Sequence, residues 1–307
     1  MIWLTCRQHR GQLLVMSGLL AALGVVFLVS WLEATAFVAS HAGLGAGDLD
    51  AALAERYQAV YTLFGWLPIV APALVGVFWG APLLGREFER GTHQLVWTQG
   101  VSPRRWLAVK LSVLGGAVAL GGLAMSAMVS AWRPLFRTDT FGNIGIFNML
   151  GVEPVAWWVF AFMLGTAAGA VLRRTLPAMA VVVGVLAVMT FTLFSLSDHY
   201  ATPARVVTTE AGVEQDARLV SRAWTDPAGA EIAVPPSGVC PRDPGLGRGE
   251  RAQLAYERCL IEKGYRYVFY VHGPERFWRF QLIDAAILLA GAGALGWLTV
   301  RRVPRSG

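Results

Sequence analysis

Long apolar runs alternate with short polar stretches along most of the chain. Six runs have about 20 residues each, and they occupy positions 12–31, 61–84, 106–131, 154–172, 177–196 and 280–300. A helix rises 1.5 Å per residue, so about 20 apolar residues cross a hydrocarbon core of about 30 Å. The pattern predicts six membrane-spanning helices. Pro68, Pro72 and Pro82 predict that the second is kinked or partly re-entrant.

One longer polar segment, residues 197–279, separates the fifth run from the sixth. Its Pro- and Gly-rich turns are followed by a predicted short helix at 250–263 and a predicted strand at 265–271. The chain therefore divides into residues 1–196 with the first five spans, the polar segment 197–279, and residues 280–307 with the sixth span and a tail.

Composition supports a chain surrounded by lipid. Of the 307 residues, 55% are hydrophobic and 15% are charged, whereas soluble domains carry about 25% charged residues. The net charge of +6 comes mostly from arginines at the ends of the apolar runs. A nucleic-acid-binding protein would gather such charges on one soluble face, so we exclude nucleic acid as a partner. The preference for Arg over Lys, with abundant Ala and Gly, indicates a high-GC bacterial source.

The basic residues also predict an orientation. Lys and Arg concentrate in the N-terminus, residues 85–110, the turn at 173–174 and the tail after 300, which together hold twelve of them and two acids. The opposite short loops hold three basic and five acidic residues. By the positive-inside rule, both termini lie in the cytoplasm of a bacterial cell and segment 197–279 lies outside.

Cysteine positions agree with this topology. Cys240 and Cys259 lie in the outer segment, and Cys6 lies on the cytoplasmic side. An oxidising exterior would let Cys240 and Cys259 form a disulfide, which is worth roughly 3 kcal/mol on a chain-entropy model. The alternative is two free thiols.

Several kinds of chemistry have no sequence support. Lys110 precedes Leu111 and Lys263 precedes Gly264, so neither lysine belongs to a phosphate-binding loop, which needs Ser or Thr there. The five histidines are scattered, and no HExxH, CxxC or Gly-x-Ser-x-Gly motif occurs. We therefore predict no catalytic residues, no metal site and no cofactor bound by this chain.

The cytoplasmic segment between the second and third spans, residues 85–105, is the most informative. Glu87 and Glu89 are the two acids on a basic face, beside apolar Phe88, Leu95 and Trp97. These carboxylates could bridge to a soluble partner. Alternatively, the segment is a membrane-skimming loop whose charges pair locally.

This segment resembles the cytoplasmic signature of ABC type 2 permeases, in which Glu-x-Glu-x-Gly-Thr precedes a Leu-rich stretch, Ser with basic residues, and Lys-Leu. The matching residues are Glu87, Glu89, Gly91, Thr92, Leu95, Ser102, Arg104, Arg105, Lys110 and Leu111. Six spans with a large outer segment before the last also resemble the G-subfamily exporter fold. Residues 3–10 and 276–281 resemble a subgroup common in high-GC Gram-positive bacteria.

The resemblance implies an all-α integral membrane fold with about six transmembrane helices. It also implies an N-terminal interfacial helix, a cytoplasmic coupling helix, and a small extracellular α+β segment between spans 5 and 6. The implied residues for coupling to an ATPase are Glu87, Phe88, Glu89, Gly91, Thr92, Leu95, Trp97, Arg104 and Arg105.

The function implied is that of the permease subunit of an ATP-driven exporter for a hydrophobic or amphipathic compound, such as a drug, antibiotic, peptide or lipid. A separate cytoplasmic ATPase subunit would bind ATP and Mg²⁺. A second permease copy or paralogue would complete a dimer in the lipid.

Two other functions remain open from the sequence. A membrane-embedded enzyme would need polar or metal-binding clusters at one membrane face, and none is visible in the sequence. A non-transporting sensor or immunity protein, whose extracellular segment binds a ligand, would share most features of a permease. A neighbouring ATPase gene would favour export, and a neighbouring kinase gene would favour sensing.

Polar and small residues inside the spans suggest further roles. Glu33 and Asp284 lie near the predicted outer ends of the first and last spans, where they either line a path for a cationic substrate or are simply solvated. Small residues recur every four positions at Ala161, Gly165 and Gly169, and again at Gly122, Ser126 and Ser130. Such stripes indicate close helix packing, either within the chain or between subunits.

Overall fold

The computed structural model describes residues 3, 7, 9–43, 45–90, 102–136, 140–210, 212, 216–236, 238–240 and 250–302. The helices in this part of the chain are α1 (Arg10–Ser40), α2 (Ala46–Arg56), α3 (Gln58–Val75), α4 (Ala81–Glu89), α5 (Pro103–Trp132), α6 (Ile144–Phe147), α7 (Glu153–Leu172), α8 (Thr175–Ser197), α9 (Glu250–Glu262) and α10 (Phe277–Arg302). The strands are β1 (Ala204–Thr208), β2 (Arg218–Thr225), β3 (Glu231–Ile232) and β4 (Arg266–His272).

Six helical segments of the described chain are long and apolar enough to cross a membrane, which confirms the predicted number of spans. They are Arg10–Ser40, Gly65–Glu89, Pro103–Leu135, Glu153–Leu172, Thr175–Ser197 and Pro274–Arg302. The first is longer than predicted, because helix α1 continues past Trp31 to Ser40. Most of the predicted N-terminal interfacial helix lies outside the described residues; Trp3 and Arg7 are helical and exposed, and the guanidinium of Arg7 lies 5.1 Å from the Trp3 ring.

The second span follows one continuous helical path rather than a re-entrant one. Helix α3 contains Pro68 and Pro72, and it joins α4 through a single π-helical turn, Gly76–Gly80. Proline is tolerated in such helices because neighbouring helices and wider turns satisfy the freed carbonyl groups. The π turn is therefore a local irregularity inside a helix that runs from Gln58 to Glu89.

Close helix packing joins this π turn to helix α7. A methyl group added at Gly165 would lie 2.3 Å from the carbonyl oxygen of Gly76, and one at Gly80 would lie 2.5 Å from that of Phe162. Gly169 approaches Ala81 in the same way. The stripe of Ala161, Gly165 and Gly169 thus serves packing within the chain, where the absence of side chains lets two backbones meet.

Two members of the second predicted stripe, Gly122 and Ser126, also pack within the chain. A methyl group at Gly122 would lie 2.8 Å from the carbonyl oxygen of Pro154, and the hydroxyl of Ser126 donates to the carbonyl of Gly151 at 2.8 Å. Ser130 is exposed. Helix α1 joins the bundle on another face of α5, where the Trp132 indole N–H donates to the Ser30 hydroxyl at 2.8 Å.

The polar segment forms a separate unit from the bundle of spans. Its described residues lie within Asp139–Asn143 and Leu196–Phe277, and its antiparallel sheet has the strand order β1-β4-β2-β3. The predicted helix and strand correspond to α9 and β4. The other three strands were not predicted, because short strands between turns carry little periodicity. Strand β4 is central and largely buried, with Tyr267, Val268 and Phe269 in the core.

Two features hold this unit together. The sulfur atoms of Cys240 and Cys259 are bonded at 2.02 Å, which ties helix α9 to the preceding turn. His272 is fully buried; its Nδ1 accepts from the Arg276 guanidinium at 3.0 Å, and its Nε2 contacts the carbonyl of Asp198 at 3.2 Å. Burial lowers the pKa of His272, so its neutral form suits this position.

Candidate functional site

Residues 85–89 of the predicted coupling segment form the last turn of helix α4. There Glu87 forms an ion pair with Lys110 of helix α5. The Lys110 side chain is 2% exposed, and that of Glu87 is 18% exposed, so the pair is largely shielded from water. The Lys110 ammonium group also lies 4.8 Å from the centre of the Trp106 ring, a favourable distance for a cation. Glu87 therefore attaches the end of the second span to the start of the third.

Glu89 attaches the same helix to the fifth span. Its carboxylate oxygens accept a hydrogen bond from the Thr175 backbone N–H at 2.8 Å and another from the Thr175 hydroxyl at 3.0 Å. Thr175 begins helix α8, and a carboxylate at a helix N-terminus satisfies free N–H groups and the helix dipole. Between the two acids, the ring of Phe88 lies 5.5 Å from the Arg173 guanidinium.

Residues 102–105, at the other end of the segment, cap and begin helix α5. The hydroxyl of Ser102 caps this helix by accepting from the backbone N–H of Arg105 at 3.3 Å. The side chains of Arg104 and Arg105 are exposed. The predicted coupling residues Gly91, Thr92, Leu95 and Trp97 lie outside the described part of the chain.

The segment thus connects the second and third spans, whose ends are held together by the ion pair between Glu87 and Lys110. Comparison with known families gives this arrangement a context. A family model described as ABC-2 membrane transporter related matches residues 17–196, which is more than half of the chain.

The chain belongs to the ABC-2 membrane transporter related family. The match begins in the first span and ends at the end of the fifth, so it includes the whole coupling segment. Membership confirms the resemblance to ABC type 2 permeases and makes the chain a multi-pass membrane protein and the permease component of an ABC transporter. No curated protein and no solved structure matches the chain significantly.

Within the family match, the structure shows more about the acids than the motif does. The motif includes Glu87, Glu89 and Lys110, but it does not show that Glu87 pairs with Lys110. Glu89 is bonded to Thr175, and Phe88 lies near Arg173. Both partners lie some 85 residues further along the chain, at the turn between spans 4 and 5. The coupling of the segment to an ATPase stays a prediction.

The two acids predicted for the substrate path have different surroundings. Glu33 is exposed on helix α1, two turns before the helix ends. Asp284 is buried in helix α10, with 5% of its surface exposed, and lies within electrostatic range of another acid, Glu153. Glu153 lies one residue before the predicted fourth run, 154–172, and was counted among the acids of the short loops, but it is the first residue of helix α7 and fully buried.

Glu153 is the buried acid that the sequence reading missed. Trp157, one helical turn further on, is close enough for its indole N–H to stabilise the carboxylate. Neither carboxylate oxygen, however, makes a hydrogen bond of ordinary geometry to a described residue. The signal in the sequence was an acid directly before Pro154, because proline favours the first turn of a helix and acids favour its N-terminus.

A buried polar cluster lies beside this acid pair. The Gln281 side chain accepts from the Val152 backbone N–H at 3.0 Å and donates to the carbonyl of Phe147 at 2.9 Å. Gly151 has a φ of 58°, and a methyl group there would lie 2.3 Å from the side-chain amide oxygen Oε1 of Gln281. This cluster fixes the ends of α7 and α10 against each other and so sets the position of Glu153 relative to Asp284.

Replacing Glu153 with glutamine is expected to raise the melting temperature of the purified permease. Glutamine keeps the shape of the side chain and cannot ionise, so it avoids the cost of either burying a charge beside a second acid or protonating the carboxyl, a gain of about 1 kcal/mol or more. Thermal unfolding in detergent would measure this change in melting temperature. Glu55→Gln, at an exposed position, is the matched control and should change nothing. A lower melting temperature for Glu153→Gln would show that the ionised carboxylate has a stabilising partner.

Proposed function

We propose that this permease exports a hydrophobic or amphipathic compound, driven by a separate cytoplasmic ATPase that docks on the segment 85–105. The observation that carries the proposal is the attachment of this segment at both acids, Glu87 to Lys110 and Glu89 to Thr175. A force on the segment would therefore act on the second, third and fifth spans together.

The attachment suggests a division of roles within the segment. Glu87 and Glu89 transmit movement, since their carboxylates are already engaged with neighbouring spans. Phe88, Gly91, Thr92, Leu95 and Trp97, with the exposed Arg104 and Arg105, provide the surface for the ATPase. ATP and Mg²⁺ bind to the ATPase, and its closure on ATP pushes the segment so that the spans tilt.

The rest of the proposal concerns the membrane that holds the chain, its orientation, its partner chain and the substrate path. The bacterial cytoplasmic membrane holds the six spans, with both termini and the coupling segment in the cytoplasm, as the arginine distribution favours. A second permease chain, identical or paralogous, completes the transporter. Asp284 and Glu153 lie on the substrate path between spans 4 and 6, and Glu33 contributes from the first span.

Co-purification from the native host tests the proposal. The tagged chain is extracted in mild detergent, and its partners are identified by mass spectrometry. We expect a protein with a phosphate-binding loop in near one-to-one amount, which hydrolyses ATP. Recovery of the chain alone, or with a kinase, would instead favour the second candidate function, a non-transporting sensor or immunity protein whose outer segment binds a ligand.

Charge reversal maps the docking surface in the same experiment. Arg104→Glu with Arg105→Glu should reduce recovery of the ATPase, because both arginines are exposed at the start of helix α5. Arg301→Glu with Arg305→Glu makes the same change in charge in the last turn of the sixth span and the tail after it, and serves as the control. Equal losses in the two variants would mean that the ATPase responds to the general surface charge and does not recognise the segment.

The outer location of the polar segment predicts that its disulfide forms in the cell. Alkylation of intact cells with a membrane-impermeant reagent, without reductant, should leave Cys240 and Cys259 unmodified, because both sulfur atoms are in the bond. Reduction first should make the half-buried Cys259 react with the reagent, whereas Cys240 is buried. Labelling without reduction would show two free thiols, and absence of labelling after reduction would place the segment on the inner side.

A further inference from the structure

An apolar groove lies between helices α7, α8 and α10. Its volume is about 520 Å³, and its apolar walls include Leu164, Ala167, Ala170, Val181, Leu295 and Leu298. Helices α7 and α10 are in contact elsewhere, where Phe160 approaches Gly291 and Met163 approaches Gly296. The groove begins beyond Met163, because the alanines that follow on α7 are too small to fill the space between the helices.

Two arginines lie at one end of this groove. Arg173, the residue after helix α7, and Arg302, the last residue of helix α10, both line it. No Asp or Glu is among the described residues that line it. Two guanidinium groups at one opening attract an anion, and their planar arrays of N–H donors match the oxygens of a phosphate. The groove is therefore apolar along its walls and cationic at one end.

We propose that this groove binds an anionic phospholipid, with an acyl chain along the apolar walls and the phosphate between Arg173 and Arg302. A free phosphate would make no use of the apolar walls, and a neutral hydrocarbon would make no use of the arginines. Leu298 on α10 and Val181 on α8 are 42% and 41% exposed, so the groove is open along its side and a lipid in the surrounding bilayer could enter it.

The placement of the arginines favours the inner leaflet. Under the proposed orientation, both lie at the cytoplasmic ends of their spans, where the membrane surface carries anionic lipids and where basic pockets between spans bind lipid headgroups. The inference therefore rests on the proposed membrane orientation, but not on the ATPase partner or on the transported compound. A bound lipid would fill the space between spans 4 and 6 that the alanines leave.

Native mass spectrometry of the full-length, delipidated permease tests this binding. Phosphatidylglycerol and phosphatidylcholine with the same acyl chains are titrated separately. We expect one phosphatidylglycerol per chain, bound about tenfold more tightly than phosphatidylcholine, because both lipids carry the phosphate but the choline ammonium of the second is repelled by the two guanidinium groups. Equal affinities for the two lipids would overturn the proposal.

Paired variants separate the groove from the general basic surface. Arg173→Gln with Arg302→Gln should weaken phosphatidylglycerol binding about tenfold or more. Arg174→Gln with Arg301→Gln removes the same charge from the neighbouring residues, which do not line the groove, and should leave binding unchanged. Because Arg173 also contacts Phe88, the single variant Arg302→Gln is included and should weaken binding by itself. Equal weakening in both double variants would overturn the proposal.

Two further measurements exclude other occupants. Excess inorganic phosphate should not displace the lipid; displacement would identify a free-phosphate site and overturn the proposal. Ala170→Phe should reduce lipid binding by filling the groove while leaving the monomer–dimer ratio unchanged. A changed ratio with unchanged lipid binding would show that a second copy covers the groove. Recovery of the ATPase, measured on the same samples, keeps failure of the lipid site distinct from failure of the proposed export function.

Discussion

Replacing Glu87 with leucine is expected to destabilise the folded permease by about 3 kcal/mol, because it leaves the ammonium group of Lys110 buried without its counter-charge. The Lys110 side chain is 2% exposed, so water cannot take over the role of the carboxylate. The double variant Glu87→Leu with Lys110→Met should regain most of the loss, since two apolar side chains need no partner. Thermal unfolding of the three proteins in the same detergent gives the comparison.

The control for this cycle is Glu33→Leu, which makes the same substitution at an exposed acid of another span. It should leave the melting temperature unchanged or raise it slightly, because the position faces lipid or solvent. If Glu87→Leu were as stable as the unmodified permease, Lys110 would have a second counter-charge, and the attachment of span 2 to span 3 would not depend on Glu87.

Replacing Gly165 with alanine is expected to destabilise the bundle by about 1–3 kcal/mol, and replacing it with leucine should prevent folding. The added methyl group would lie 2.3 Å from the carbonyl oxygen of Gly76 and 2.7 Å from the backbone nitrogen of Ala81. Both contacts are with backbone atoms, which cannot rotate away as a flexible side chain would. The yield of monodisperse protein and its melting temperature measure the effect.

Gly116→Ala is the matched control, since it adds a methyl group to helix α5 at a position with no atom within 4 Å. It should leave yield and stability unchanged or slightly improved, because alanine favours the helix more than glycine does. A normal yield of Gly165→Leu would mean that the π turn of span 2 can move away from helix α7. That result would make this contact adjustable and no longer a fixed part of the bundle.

The spans could be predicted from sequence because the bilayer imposes a strong local rule. A backbone in hydrocarbon must satisfy its own hydrogen bonds, so a run of about 20 apolar residues becomes a helix whatever its neighbours are. The ends of the spans were harder to predict. Helix α1, for example, continues through Glu33 to Ser40, beyond the predicted end of the first run at residue 31. Charged residues near a span end can still be helical, and the apolar pattern alone does not show where the turn begins.

The site was harder to predict, because its residues are distant in sequence. The motif pointed to Glu87 and Glu89, but the choice between a soluble partner and local pairing depended on the position of Lys110 and Thr175. The structure gives both acids partners within the chain. Glu153 went unrecognised for the same reason: its burial beside Asp284 results from the packing of α7 against α10.

The number of spans, the polar segment between the fifth and sixth, and the resemblance to the family could all be derived from sequence, because each depends on local composition or on a short motif. The fold was needed to show that most of the small residues in the two stripes pack within the chain, that Glu87 and Glu89 connect three spans, and that Arg173 and Arg302 share one groove. These features depend on atoms that are close in space but far apart along the chain, and such pairs are fixed only when the helices pack.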